Sequence, residues 1–328
     1  MKILLIGSGK GGVGKSTITV SLALLFKMLG FKVGLIDADI YGPSLKEMLA
    51  PDVLPREDGG MIIPAMSKGI KVISAAYLSK FDRGAPVRAP LINGVIEQFI
   101  SGVKWEDRDL LIIDLPPGTG DIHLTILQKI SITGAIVITT PQKISTIDVE
   151  KALHLFQNMQ IPILGVIENM SYYQDPLNGE KHRIFGEGGG ECLSRKFNVP
   201  LLGKVPLDPH LMDALDNGEG AKFSLSQEVL LKIALEIVER LCDDTVNKIF
   251  LVTKINDHLV EIETEKTKKQ YLFSKLQELC PCARCSQKER LSDPNLSVHE
   301  IELIGSYGVR FHFTSGCTQG IYTWQNFT

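Results

Sequence analysis

Residues Gly7 to Thr17 read GSGKGGVGKST, and no other stretch narrows the possible folds as much. The apolar run Lys2–Ile6 precedes them, and an apolar-periodic stretch from Ile18 to Met28 follows. Strand, glycine loop and helix, in that order, are the setting a phosphate-binding loop requires. Gly9, four residues and then Gly14-Lys15-Ser16 fit the spacing G-x-x-x-x-G-K-[ST]. Glycines let the backbone turn tightly and aim its N–H groups at phosphate oxygens. The helix N-terminus behind them adds partial positive charge. The run Gly9, Lys10, Gly11, Gly12, Val13, Gly14, Lys15, Ser16 and Thr17 is therefore expected to cradle a nucleotide. Lys15 would reach the β- and γ-phosphates, and Ser16 Oγ would ligate Mg²⁺. The bland alternative, a glycine-rich turn with a chance Lys-Ser, does not explain the strand before it and the helix after it.

Whole-chain properties set the outer bounds. At 328 residues the chain has room for one large domain and a smaller one. An apolar fraction of 44% with 22% charged residues is that of an ordinary globular protein. A net charge of −3 gives no global basic field for nucleic acid. No apolar run approaches the roughly 18 residues of a membrane span. Residues 2–6 lead directly into the glycine loop, so no targeting segment is expected and a cytoplasmic location follows. Six cysteines are present, and three of them crowd into Cys280-Pro-Cys282-Ala-Arg-Cys285. In a cytosolic chain that spacing points to metal or redox chemistry before disulfides. Cys242 ends an apolar helical pattern and is expected to be buried.

Apolar strands alternate with helices along the first 245 residues. Phe31–Ile36, Lys71–Ala75, Asp109–Asp114, Gly134–Thr139, Ile163–Ile167 and Leu201–Val205 read as strands. Val87–Val103, Ser145–Met159 and Val229–Cys242 read as helices, and residues 51–70 as a surface excursion. This grammar predicts a doubly wound, mostly parallel α/β sheet. Asp37 and Asp39 follow one strand and Asp114 ends another, where such sheets bind ligands. The four apolar residues before Asp114 predict a strand buried on both faces.

Lys10 sits second within the glycine motif. GKGGVGKS resembles the deviant phosphate-binding loop of the family containing MinD, ParA, the nitrogenase iron protein and the Mrp/ApbC proteins. Asp37-Ala-Asp-Ile-Tyr-Gly-Pro-Ser44 and Asp114-Leu-Pro-Pro-Gly-Thr-Gly-Asp121 are similar to the two switch loops of Mrp proteins. The resemblance implies a Mg-dependent ATPase that works as a homodimer, with Lys10 touching phosphates in the other subunit. It implies that Asp39 orients the attacking water, and that Asp37 and Asp114 hold the magnesium hydration shell. It places Asn169, in Glu168-Asn-Met-Ser171, against the adenine, with Pro206 closing over it. Lys10, Lys15 and Asp39 are thus the implied catalytic residues. One departure matters. Mrp and ApbC proteins carry C-x-x-C after E-N-M-S, holding an iron–sulfur cluster between subunits. Residues 172–182 here contain no cysteine, and only Cys192 lies nearby.

Beyond residue 245 the pattern changes to short strands: Lys248–Ile255, His258–Thr264, Lys269–Phe273, Glu300–Ile304, Tyr307–Phe313 and Gly320–Thr323. A helical turn, Ser274–Leu279, leads into the cysteines. Residues 246–328 are expected to form a small, mainly antiparallel domain. Cys280, Cys282 and Cys285 can wrap one cation, and Cys317 is the remaining thiol there. Leu279–Cys285, Gly305-x-Tyr307 and Gly320–Trp324 resemble the N-terminal domain of gamma-butyrobetaine hydroxylase. In that family three cysteines and a histidine bind zinc, and the histidine position falls on Cys317. The resemblance implies a zinc or a [4Fe–4S] cluster on Cys280, Cys282, Cys285 and Cys317; His299 and His312 sit on strand patterns and are expected to be surface or core residues rather than ligands. The two resemblances together imply an ATP-hydrolysing iron–sulfur cluster carrier that serves apo-proteins and binds neither nucleic acid nor membrane. The alternatives are a MinD- or ParA-like recruitment switch, and an ATPase with a purely structural zinc module.

Overall fold

The computed structural model describes residues 1–77, 89–218, 226–242, 251–263, 268–280, 285, 293, 296–304, 308–314, 317–318, 320–323 and 327. Two compact units divide the chain. One comprises residues 1–127 and 132–243, the other residues 128–131 and 244–328.

The first unit is an α/β sandwich. Its elements are β1 (Lys2–Ser8), α1 (Lys15–Met28), β2 (Val33–Asp37), α2 (Leu45–Met48), β3 (Arg56–Asp58), β4 (Met61–Ile63), β5 (Ala65–Ser67) and β6 (Ile70–Ser74). They continue as α3 (Ala89–Ser101), β7 (Leu110–Asp114), α4 (Asp121–Lys129), β8 (Gly134–Thr139), α5 (Lys143–Asn158) and β9 (Ile163–Glu168). The last are β10 (Tyr173–Gln174), β11 (Lys181–His182), α6 (Gly189–Phe197), β12 (Leu201–Lys204), α7 (Pro209–Asp216) and α8 (Gln227–Cys242).

Eight strands form one sheet in the order β12-β9-β8-β1-β7-β2-β6-β5. Every pairing in it is parallel except β5 with β6. The doubly wound, mostly parallel sheet expected from the alternation is therefore present. β7 is buried at all five positions, as its unbroken apolar run requires. The chain lays β2 on one side of β1 and, after β7, crosses to lay β8 on the other. The carboxyl end of β1 is thus where the winding reverses, the usual place for a ligand crevice.

Three expectations need adjustment. Residues 51–70 are not a plain excursion: β3 pairs with β4, and β5 extends the main sheet as an antiparallel edge strand. The helix expected from Val87 is described from Ala89, and residues 87–88 lie outside the described set. Cys242 is exposed rather than buried. The buried stripe of α8 runs through Leu230, Ile233, Ala234, Ile237 and Leu241. One residue further turns the side chain about 100° around the axis, away from that stripe.

The second unit has β13 (Leu251–Asn256), β14 (Leu259–Glu263), β15 (Lys268–Leu272), α9 (Phe273–Glu278), β16 (Val298–Ile304), β17 (Gly308–Phe313) and β18 (Ile321–Thr323). They form two three-stranded antiparallel sheets, β13-β14-β15 and β16-β17-β18. Along β17, Val309, Phe311 and Phe313 are buried while Arg310 and His312 are half-buried, the alternation of a sheet with one wet face. Phe273, Phe311, Phe313, Tyr322 and Phe327 make a shared aromatic core in which Cys280 also lies. Their ring centroids approach to 5.4–6.5 Å in tilted and edge-on pairs, the arrangement aromatic quadrupoles favour.

Candidate functional site

Strand register assembles the first site. Ile6 of β1 stands beside Asp114 of β7, Asp114 beside Asp37 of β2, and Asp37 beside Ser74 of β6. Two carboxylates from distant motifs are thereby neighbours at the mouth of the glycine loop. Asp114, fully buried, is the hub. Its Oδ2 accepts from Ser16 Oγ at 2.7 Å and pairs with Lys15 Nζ at 2.7 Å. Its Oδ1 accepts from Thr19 Oγ1 at 2.8 Å. Asp37 accepts from Ser74 Oγ at 2.9 Å and from the backbone N–H of Asp39 at 3.2 Å. Burial, and then the negative field of Asp114, push the Asp37 carboxyl up to about 7. Two buried carboxylates beside a hydroxyl are a donor set suited to a hard divalent cation, whose charge would offset their repulsion.

The loop itself is shaped by close approach. A Cβ on Gly9 would lie 2.1 Å from the backbone of Asp148 in α5, so only glycine lets the loop rest there. Gly14 has φ +80°, and a Cβ there would meet Asn169 Nδ2 at 2.2 Å. Asn169 is buried, and its Nδ2 donates to the Val13 carbonyl at 2.9 Å. In this conformation its amide ties the end of β9 to the loop. Pro206 is buried nearby, because Val205 N–H donates to Glu168 O and Leu207 N–H donates to Tyr172 O. Lys15 and Thr17 are buried, Lys10, Gly11 and Gly12 are exposed, and Asp39 is half-buried with Oδ1 accepting from Gly42 N–H. The structure thus gathers Lys15, Ser16, Asp37 and Asp114 at one point, Asn169 and Pro206 on the flank, and Lys10 on the outside.

Thr19, Ser74 and His123 were not anticipated from sequence. Thr19 lies one helical turn after Lys15, and that i, i+4 spacing was a readable signal. Ser74 required knowing that β6 pairs with β2. His123 is 2% exposed on α4, and burial pushes its imidazole down to about 4. Where relatives of the resemblance carry C-x-x-C, this chain has the β10–β11 hairpin, with Lys181 Nζ 4.4 Å from the centre of the Tyr172 ring. Cys192 is exposed on α6.

The second site is a thiol group. Cys280 is buried and Cys285 and Cys317 are half-buried, and their sulfurs all lie within 4.8 Å of one another. Cys280 Sγ and Cys317 Sγ are 3.6 Å apart. Cys282 lies outside the described residues. Tyr322, whose hydroxyl donates to Leu276 O, stands beside them, and burial together with the cysteines pushes its phenol up. His299 is exposed, and His312 Nε2 is 3.2 Å from Glu302 Oε2, so neither belongs to the group.

A glycine loop on the central strand of a doubly wound sheet, with lysine, serine and two acidic strand ends around it, defines a nucleotide-binding P-loop NTPase. Residues 1–242 match the family model described as ParA, NUBPL iron-transfer P-loop NTPase, and the chain belongs to that family. Residues 252–328 match the gamma-butyrobetaine hydroxylase-like N-terminal model. The iron-sulfur cluster carrier protein of Synechocystis sp. is 45% identical over 222 residues, covering 66% of this chain and 63% of that one. The chain therefore spans somewhat under two thirds of that relative. A nucleotide-binding protein from Archaeoglobus fulgidus, solved with ADP, superposes with a TM-score of 0.61 at 35% identity, covering 69% of this chain and 90% of that one. The septum site-determining protein MinD of Pyrococcus horikoshii, with Mg-ADP, shares the fold at a TM-score of 0.52 and 22% identity, covering 72% and 95%. Among the described residues no helix is long and apolar enough to cross a membrane.

Proposed function

We propose that this protein binds and hydrolyses ATP with Mg²⁺ and uses that cycle, as a homodimer, to carry iron–sulfur clusters to apo-proteins. The convergence of Lys15, Ser16 and Thr19 on the buried Asp114 carries the first part. Ser16, Asp37 and Asp114 would hold the cation, which supplies charge neutralisation of the phosphates. Lys15 binds and orients the β- and γ-phosphates. Asp39, at the mouth, orients the attacking water, and the exposed Lys10 is available to phosphates held by a second copy. Asn169 and Pro206 flank the base. Gly118, at φ +92°, lets the loop after β7 respond to the nucleotide state.

The carrier reading is supported by the relatives named iron-sulfur cluster carrier proteins. In this chain the cargo would sit on Cys280, Cys282, Cys285 and Cys317, since residues 172–182 offer no thiolate. A specific observation favours a second reading of that group. Zn–S bonds of about 2.3 Å set a tetrahedral S···S edge of about 3.8 Å, close to the 3.6 Å between Cys280 and Cys317. A four-iron cluster binds each thiolate at a different corner and holds the sulfurs further apart. A structural zinc in an ATPase is thus the competing account. Transfer decides between them: anaerobically reconstituted protein is mixed with an apo-ferredoxin, with and without Mg-ATP. The carrier account expects acceptor absorbance to rise faster with Mg-ATP. An acceptor that stays apo under both conditions contradicts it.

A further inference from the structure

The two carboxylate oxygens of Asp114 are engaged by different groups. Oδ2 takes both loop residues, Lys15 Nζ and Ser16 Oγ, at 2.7 Å each. Oδ1 accepts instead from Thr19 Oγ1 at 2.8 Å. Thr19 is fully buried on α1, one helical turn beyond Lys15. Its hydroxyl also lies 2.9 Å from the Lys15 carbonyl. A hydroxyl has one proton to give, and a charged acceptor draws it more strongly than a neutral one. Asp37 is treated alike: Ser74 Oγ donates to its Oδ2 at 2.9 Å, and the Asp39 N–H to its Oδ1 at 3.2 Å. Each acid thus has an oxygen committed to a donor of the protein. Lys15 and Ser16 have ligands of their own in the proposed cycle, so Oδ2 is the oxygen they can yield. Thr19, with no exposed surface, keeps Oδ1.

We propose that Thr19 sets the metal specificity of the nucleotide site: by holding Asp114 Oδ1 it keeps this carboxylate from gripping a cation through both oxygens, and so favours Mg²⁺ over Ca²⁺. The proposal rests on the reading that Ser16, Asp37 and Asp114 hold the cation. Calcium takes six to eight oxygens in a flexible shell and accepts a carboxylate through both oxygens. Magnesium demands a near-ideal octahedron, keeps several waters and dehydrates reluctantly. A chelating carboxylate has too narrow a bite for an octahedron, so a carboxylate limited to one oxygen costs magnesium nothing and deprives calcium of a ligand. Thr19 does this without touching cation or nucleotide, and is a positioning residue. A hydroxyl at this place is the feature that matters, because serine can make the same bond and valine, of nearly the same shape, cannot.

The test uses the full chain and a fluorescent ADP analogue, whose affinity is measured with Mg²⁺, with Ca²⁺ and with EDTA. Wild type is expected to bind the analogue more tightly with Mg²⁺ than with Ca²⁺. Thr19→Val should shrink that Mg²⁺-to-Ca²⁺ ratio roughly fivefold or more, the scale of one hydrogen bond to a charged group. Thr19→Ser should keep the ratio within about twofold of wild type, since the bond is retained. Thr19→Ala is read in the same way as Thr19→Val, and binding in EDTA identifies the variants that have kept the loop. A residue that merely supports the fold would weaken all three conditions together and leave the ratio unmoved. An unchanged ratio in a hydroxyl-free variant that still binds in EDTA overturns this proposal alone and leaves the cation reading intact. So does a wild type without preference between the two metals, or a Thr19→Ser that behaves like Thr19→Val. Loss of binding in EDTA by both hydroxyl-free variants would mark Thr19 as a structural residue and also overturn it. A wild type whose affinity responds to neither metal sinks the cation reading together with this one.

Discussion

In the first unit Asp114 meets Ser16 and Thr19 across 98 and 95 residues of chain. In the second, Cys280 meets Cys317 across 37. The longer reach belongs to the more thoroughly prepared site. Buried parallel strands fix Ile6, Asp114, Asp37 and Ser74 in one row, and the polar groups already satisfy one another. The thiols instead sit on no strand of either sheet: Cys280 follows α9, Cys285 is helical, and Cys317 falls between β17 and β18. Three sulfurs have gathered at one point without the strand-to-strand register that holds the carboxylates. A site of the first kind is preorganised by the sheet. A site of the second kind draws much of its order from the metal it binds.

That contrast can be broken most decisively at Lys15. Lys15→Ala is expected to lower ATP turnover by about 10²–10³-fold, the cost of removing one preorganised charge-stabilising donor. Metal content of the second unit should not change. Turnover within tenfold of wild type would show that the row of strand ends is not the catalytic site.

Acid titration sharpens the same point. His123 has its folded pKa depressed to about 4 from 6.5. The unfolded chain therefore binds the proton first, and stability is lost as pH falls from about 6.5 toward 4. Between pH 7.5 and 4.5 this amounts to about 2–3 kcal/mol. The stability difference between wild type and His123→Gln, from urea unfolding at the two pH values, should change by that amount in the direction of relative gain for the variant. A constant difference would mean that the ring is not held neutral.

Gly14→Ala places a Cβ at φ +80° and against Asn169. Left-handed backbone costs about 1–2 kcal/mol for a residue with a Cβ. Nucleotide affinity, read by calorimetry, should fall about tenfold, the same energy expressed as binding. Unchanged affinity would separate Asn169 from the nucleotide. The smallest effect belongs to Cys192→Ser: this exposed thiol is expected to leave metal content and turnover as they are. A halved metal content would instead give the first unit a share in the metal site.

Much of the nucleotide site was legible because a phosphate loop needs glycines, lysine and serine at fixed spacing, and because parallel strands bury unbroken apolar runs. Asp37 and Asp114 stood out as acids ending such runs. Their contact with each other was not legible, since it depends on β7 lying between β1 and β2. Ser74 was hidden for the same reason, being defined only by the pairing of β6 with β2. Residues 51–70 read as loop because their three strands are only three residues long each and lack a periodic signal. Cys242 misled because an apolar helical stripe says which face is buried but not where its last turn ends. In the second unit the cysteine spacing announced a site, whereas the buried Tyr322 beside it was visible only in the fold.

The measurement that tests the account most directly is anaerobic reconstitution with iron and sulfide, followed by visible absorption and metal analysis of wild type and Cys317→Ser. The account predicts a brown wild-type protein with thiolate-bound iron and sulfide, lost in Cys317→Ser while ADP binding persists. A colourless wild type with one zinc per chain, or a colour that survives Cys317→Ser, would contradict it.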